Sequence, residues 1–313
     1  MRKRLQPWHL AVLVTLLGVV ALAVARWYPE LQTYDAARMT SILPADPSTA
    51  VLYIDAGALR KAGLLDLLAG SKAVEEPDYR QFVEQTGFDY RSDLDGIAAA
   101  FFPQGAFFAV RGRFQWKRLN AYAAAQGGQC RGSVCSMPGS RPERIISFYP
   151  LQSNLLALAV APQSSAVMQI GPAQVKTAPT PGGDPVWLSV PPATFANAEF
   201  VPAGMRAFVR PLEQASKITF AAGPSVANKD KNIELRMEVT CATPQAATDL
   251  ARQLTETTAL LKNLIAREGA APNPRDLSGV LTAGNFQQQQ SRVIGIWPIE
   301  RAFMEALASG QVR

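Results

Sequence analysis

Two stretches of this chain, residues 46–176 and 186–313, present the same order of elements, and a repeated order constrains the fold more than any single motif does. In the first stretch Ala50–Ile54 is a short apolar run predicted as a strand. Residues 58–68 carry Leu59, Leu64, Leu65 and Leu68 on one helical face, and a second helix is predicted over 79–85. A strand pair follows over 97–102 and 106–111, interrupted by Pro103, Gln104 and Gly105, which have a turn composition. Residues 115–125 place Trp116, Leu119 and Tyr122 at helical spacing, and 145–149 with 155–161 close the unit as a hairpin.

The second stretch opens with a strand at Val186–Val190, and 192–198 takes the place of the first helix. Leu212, Glu213 and residues 218–220 match Leu94, Asp95 and residues 97–101 in pattern, and Ile233, Leu235, Met237 and Val239 alternate as a half-buried strand should. Thr243 and Pro244 open a long helix, because Thr caps orphan amides and Pro suits the first helical position. Its buried stripe is Leu250, Leu254, Leu261, Leu264 and Ile265. A hairpin is predicted from 280–286 and 292–297 with Gln287 to Gln290 at its tip, and then a helix over 299–308 whose counterpart is 165–170. Between the stretches, 177–185 holds Pro179, Pro181, Gly182, Gly183 and Pro185, lacks apolar periodicity and reads as a linker. Hairpins with returning helices predict an α+β fold: two tandem units of antiparallel or mixed sheet covered by helices. The groove between the units is the expected place for a ligand.

The first 28 residues carry a different message. Arg2, Lys3 and Arg4 precede an apolar run from Leu10 to Ala25, bracketed by Trp8 and by Trp27 and Tyr28. A helix over 8–27 would span the ~30 Å hydrocarbon core, with the aromatic residues at the interfaces and the three cations holding residues 1–7 in the cytoplasm. The reading is an N-terminal transmembrane helix, a juxtamembrane linker over 28–45, and a body on the far side of a cytoplasmic membrane, in the periplasm. The alternative is a cleaved signal peptide, since Ala23-Val24-Ala25 has the form a signal peptidase cuts, and the product would be secreted. Both readings export the body.

Charge and composition exclude several classes. Four of the 31 basic residues, Arg2, Lys3, Arg4 and Arg26, precede Tyr28, which leaves the body nearly balanced against 25 acidic residues. Without a basic block there is no electrostatic footprint for nucleic acid. His9 is the one histidine, so the body has no imidazole for Ser-His-Asp or Cys-His catalysis. Three cysteines with no histidine beside them are too few for the usual zinc sites, and no metal or cofactor is expected.

What remains is carboxylates and thiols. Asp89, Asp93 and Asp95, with Glu75, Glu76 and Asp78 upstream, form the densest acidic patch, without calcium-loop spacing. A carboxylate-dependent hydrolase of envelope polysaccharide would use such a pair; solvated loops and helix N-termini are the competing reading, and Asp55 reads as a helix N-cap. Cys130 and Cys135 flank a four-residue loop that reads as a structural disulfide in an exported body, ahead of two free thiols. Cys241 ends an apolar strand and reads as a buried free thiol. Gly127-Gly128 and Gly182-Gly183 are turns, not phosphate loops. The cations and aromatics from Arg111 to Arg118 read as a helix with Trp116 inward and Lys117 and Arg118 outward, rather than as a site for an anionic polymer.

Leu43-Pro44-Ala45-Asp46, the run Ala50-Val51-Leu52-Tyr53-Ile54-Asp55 and the strand from Phe107 to Phe114, together with the apolar N-terminus, resemble uncharacterised bacterial single-span envelope proteins. The resemblance implies an envelope location and a repeat, and carries over no catalytic residue. The expectation is a non-enzymatic two-module body that binds a protein or an envelope component, with the hydrolase and a carrier of lipid or another apolar ligand as alternatives.

Overall fold

In the computed structural model the short apolar runs of both stretches pair with one another, and the outcome is one sheet instead of two. The structure describes residues 34–65, 77–141, 143–171, 183–196, 206–225, 233–309 and 311. The strands are β1 Ala50–Ile54, β2 Leu94–Phe102, β3 Gly105–Gly112, β4 Gln129–Arg131, β5 Val134–Pro138, β6 Ile145–Gln152, β7 Leu155–Ala161, β8 Val186–Val190, β9 Lys217–Pro224, β10 Ile233–Thr240, β11 Asn285–Gln289 and β12 Arg292–Ile299. The helices are α1 Ala36–Ser41, α2 Ala56–Lys61, α3 Pro77–Thr86, α4 Tyr90–Asp93, α5 Trp116–Ala125, α6 Arg206–Val209, α7 Pro244–Arg267, α8 Leu277–Thr282 and α9 Arg301–Ala308. Shorter 3-10 turns lie at Ala166–Gln169, Pro192–Ala196 and Arg210–Gln214.

The strand order is β11-β12-β10-β9-β8-β1-β2-β3-β7-β6-β5-β4, and each neighbouring pair is antiparallel. This corrects the expected pair of tandem sheet units, antiparallel or mixed. The first strands of the two stretches, β1 and β8, pair through Val51–Ser189, Leu52–Leu188, Tyr53–Trp187 and Ile54–Val186, and so merge the halves into one twelve-stranded antiparallel sheet. Left apart, each would be an edge with a row of unpaired backbone donors and acceptors; together they remove two edges. Outward from this junction the order is β1-β2-β3-β7-β6 on one side and β8-β9-β10-β12-β11 on the other. The first side alone continues, through β5 and β4.

The spanning helix belongs to the same correction. Among the described residues no helix is long and apolar enough to cross a membrane. The segment 8–27 on which it was expected, with Trp8, Trp27, Tyr28 and the cations Arg2, Lys3 and Arg4, lies outside the described residues. The fold of residues 36–313 is an α+β body forming a single unit.

Residues directly opposite across paired strands share a face, so the register sorts the side chains. One face carries Ile54, Ile97, Val110, Phe148, Leu156, Ile218, Met237, Val239, Val293 and Trp297, and the helices α2, α5, α7 and α9 pack on it. Leu250 and Leu254 of α7 are buried there, and each fully buried Leu or Met contributes about 1.5–3 kcal/mol by leaving water. The opposite face differs between the halves. In the first half it is lined by the small side chains Ala98, Ala100, Ala109, Ala157 and Ala159, each fully buried, together with Val51 and Tyr53. Small residues let α1, with fully buried Met39, and the turn Ala166–Gln169 sit close to the strands. Tyr149 Oη donates to the Ile170 carbonyl at 2.6 Å and Gly171 N to the Ile42 carbonyl at 3.1 Å, which ties that layer down.

Several boundaries move. Residues 280–286, expected as a strand, divide into the end of α8 and the start of β11. Asp276 caps α8 by accepting from Ser278 N at 2.8 Å, which starts a helix where the apolar run alone suggested a strand. Gln287, Gln288 and Gln289 lie in β11, and the turn is Gln290 and Ser291. Helix α2 starts at Ala56 and ends at Lys61, before the expected end, and 66–76 lie outside the described residues. Of the linker 177–185, residues 183–185 are described.

Candidate functional site

The groove expected between two sheet units is replaced by open ground on the continuous sheet. In the second half the face opposite the helices bears Thr219, Ala221, Arg236, Glu238 and Ile294, and among the described residues no helix packs on it. A depression of about 420 Å³ lies there, lined by Asp184, Trp187, Lys217, Thr219, Arg236, Glu238 and Thr240 among others. A second, of about 410 Å³, lies at the junction of the halves, between Asp46, Thr49 and Val51 on one side and Ser189, Pro191, Ser216 and Lys217 on the other. Lys217 lines both.

Local sequence builds this ground. Along β9 and β10 the period of two sends Ile218, Met237 and Val239 under α7 and leaves Lys217, Thr219, Arg236, Glu238 and Thr240 on the other side. Lys217 sits directly opposite Thr240, and Thr219 opposite Glu238. Asp184 binds the Arg236 guanidinium, whose Nε is buried without a hydrogen-bond partner among the described residues. Arg292 Nη1 lies 3.0 Å from Glu238 Oε1. Both carboxylates are thus engaged by arginines. Lys217 is exposed and is the cation on this face to which no carboxylate is bound among the described residues. At the far end Asp46 is held below its ordinary pKa by the hydroxyls of Ser48 and Thr49, so it stays charged in its own turn. Lys217 with Thr240 and Ser216 offers hydrogen-bond donors and a positive charge, while the Thr219 hydroxyl donates to the Glu238 carbonyl at 3.4 Å and Ser189 is buried. Such a set binds a ligand with an anionic group beside other acceptors.

The acidic patch that the sequence singled out is elsewhere and otherwise occupied. Asp93 Oδ2 accepts from Asp89 N at 2.9 Å, and Asp93 Oδ1 accepts from Arg113 Nε at 3.1 Å and Nη2 at 2.9 Å. Burial raises the Asp93 pKa, but the Asp89 amide and Arg113 outweigh it, leaving the carboxyl below its ordinary value. A general acid requires the reverse. Asp89 caps α4, accepting from Arg91 N and from Tyr79 Oη at 2.9 Å each. The Tyr79 phenol is pushed up by burial first and by Asp89 second. Asp95 faces Arg60 at 3.7 Å, Asp55 caps α2 by accepting from Ala58 N at 2.8 Å, and Asp78 is exposed in the first turn of α3. Glu75 and Glu76 lie outside the described residues.

Cys130 and Cys135 form a disulfide. They are direct partners across the β4–β5 hairpin with Cα atoms 4.0 Å apart, and Cys135 is fully buried against Leu119, Ala123 and Phe148. Cys241 is free and buried, and burial raises its thiol pKa. Trp116 packs on the same cluster and donates through Nε1 to the Ser153 carbonyl at 3.0 Å, while Lys117 and Arg118 are exposed.

No protein-family model matches this chain. No curated protein matches it either, in keeping with the resemblance to a family without assigned activity. Among solved structures it is similar to crystal form I of TP0453, at 10% identity and a TM-score of 0.47, covering 88% of this chain and 97% of that one. Crystal form III of the same protein gives 10% identity and a TM-score of 0.46 over 87% and 96%.

Lys217 escaped the sequence reading because a single lysine at a strand start matches no motif. Its signal was the polar half of the alternation in β9 and β10: Lys217 and Thr219, then Arg236, Glu238 and Thr240.

Proposed function

We propose that this protein is a non-enzymatic binding body, exported from the cytoplasm, that holds an anionic envelope component on the uncovered face of its sheet. The observation that carries the reading is Lys217, a cation with no bound carboxylate among the described residues, standing where two depressions meet among hydroxyl groups. Two features support it. Asp184 and Glu238 are engaged by Arg236 and Arg292, so these two do not compete for Lys217. The Cys130–Cys135 disulfide suits an oxidising compartment outside the cytoplasm.

A photo-crosslinking side chain placed at Thr219 in the full-length protein, irradiated in intact cells, tests this directly. The expected result is one reproducible adduct that disappears when Lys217→Glu is added. An adduct that survives Lys217→Glu, or none at Thr219, would remove the assignment. A smeared polymeric adduct and a discrete polypeptide adduct distinguish a glycan from a protein ligand.

A further inference from the structure

A sheet that does not close has two edges, and in this protein they are built differently. At one end is β4, three residues long, bearing Arg131 and tied to its neighbour by the Cys130–Cys135 disulfide. Short, charged, clamped strands are poor templates for another chain. At the other end is β11, Asn285-Phe286-Gln287-Gln288-Gln289, which has no charge, no Pro, no Gly and no bulge in its register with β12. Phe286 is half-buried beneath α7 and the other four residues are exposed, so the outer edge of this strand is open among the described residues.

The direction of its free backbone groups follows from the turn. Gln289 and Arg292 close a two-residue loop, which makes them a hydrogen-bonded pair; the alternation of an antiparallel ladder then makes 287–294 and 285–296 hydrogen-bonded pairs as well. The N–H and C=O groups of Phe286 and Gln288 therefore point away from β12, and among the described residues no other backbone group bonds them.

We infer that β11 is an interface for a second copy of this chain, pairing antiparallel with its own counterpart about a twofold axis at Gln287. The geometry fits itself. With Gln287 opposite the partner's Gln287, Phe286 falls opposite the partner's Gln288 and the outward groups of each exchange hydrogen bonds, four in all. On the face away from the helices, Asn285, Gln287 and Gln289 meet Gln289, Gln287 and Asn285, amide against amide, with no like charges opposed. The helix over this edge agrees. α7 packs on β11 and carries Leu260 and Leu264, exposed at 59% and 48%, which are two of the five large apolar side chains left exposed in the described body. A helix above the seam with unpartnered leucines supplies apolar area that a five-residue strand pair lacks.

The test is sedimentation of the full-length chain in mild detergent, across concentrations from about 1 μM to about 1 mM. The expected result is a reversible monomer–dimer equilibrium. Gln287→Lys, which sets two ammonium groups opposite each other in a non-hydrogen-bonded pair, should weaken it about tenfold or more. Gln129→Lys on the opposite edge should leave it unchanged. In parallel, Gln287→Cys should oxidise to a covalent dimer, since facing residues at such a position have the Cα spacing a disulfide needs. A monomer throughout with no covalent dimer, or a dimer indifferent to Gln287→Lys, would overturn the inference. Neither outcome bears on Lys217, which lies on a different strand.

Discussion

Asp93 decides between a carboxylate that does chemistry and one that holds the fold, and the structure gives the size of the second role. Removing its side chain by Asp93→Ala deprives the half-buried Asp89 amide of its acceptor at 2.9 Å and releases Arg113. A hydrogen bond to a charged group is worth about 1.5–3 kcal/mol. The Arg113 contact adds at most about 1 kcal/mol, because that guanidinium is 65% exposed and screened while Asp93 is 18% exposed. The expected loss is about 2–3 kcal/mol, most of it from the amide. Asp93→Asn keeps an acceptor for Asp89 N and should lose about 1 kcal/mol. The sign with pH follows from the lowered pKa. A depressed carboxyl contributes stability that is complete above its unfolded pKa and is lost as pH falls through the folded one. The gap between wild type and Asp93→Ala should therefore be full at neutral pH and shrink below about pH 4. Urea unfolding of the full-length chain, followed by circular dichroism at both pH values, measures it. A loss under about 0.5 kcal/mol, or a gap that does not narrow in acid, would refute this account of Asp93. A double Asp93→Asn, Asp95→Asn protein that stays stable but loses function would return the carboxylates to candidacy as catalysts.

Three further predictions rest on single atoms. Gln290 turns the β11–β12 hairpin at φ 55°, where a side chain is strained, so Gln290→Gly should raise stability by about 0.5–1 kcal/mol in the same urea assay. Ser147 Oγ is fully buried with no hydrogen-bond partner among the described residues, so Ser147→Ala should stabilise by about 1 kcal/mol; destabilisation would mean the hydroxyl has a partner. Thr243 caps α7 by accepting from Ala246 N at 3.1 Å, and Thr243→Ala should cost about 1 kcal/mol, visible as a lower thermal midpoint.

Local chemistry made some of this fold legible. Asp55 and Thr243-Pro244 announced helix starts because a cap acts within three residues of itself, and Ile233 to Val239 announced a strand because period two is written in four side chains. The β1–β8 pairing was not legible, since nothing around Val51 encodes that Ser189 will lie beside it. Residues 280–286 misled because Val280 and Leu281 suit a strand as well as a helix, and the deciding group, Asp276, lies before the run. The site suffered most. Lys217 matters because Asp184 and Glu238 are already engaged, and such competition among charges exists only after β8, β9, β10 and β12 are side by side.

The junction also explains why Lys217 and the β11 edge fall in the second half. Once β1 and β8 pair, each half has one outer end and one face away from the helices to protect. The first half covers its face, because Ala98, Ala100, Ala109, Ala157 and Ala159 leave room for α1 and the turn at Ala166, and it extends past β6 with the disulfide-bound β5 and β4. Among the described residues the second half does neither: Arg236, Glu238 and Thr240 replace the alanines, and β11 is the last strand. Covering a face that bears paired charges would strip them of water at a cost of several kcal/mol per ion, so the polar residues themselves keep that face open. Replacing Arg236 and Asp184 together by Ala would remove the obstacle without leaving either charge unpaired. If the charges hold the face open for a ligand, that double variant should unfold at about the wild-type urea midpoint and lose the Thr219 adduct. If they serve the fold alone, the midpoint should fall and the adduct should remain.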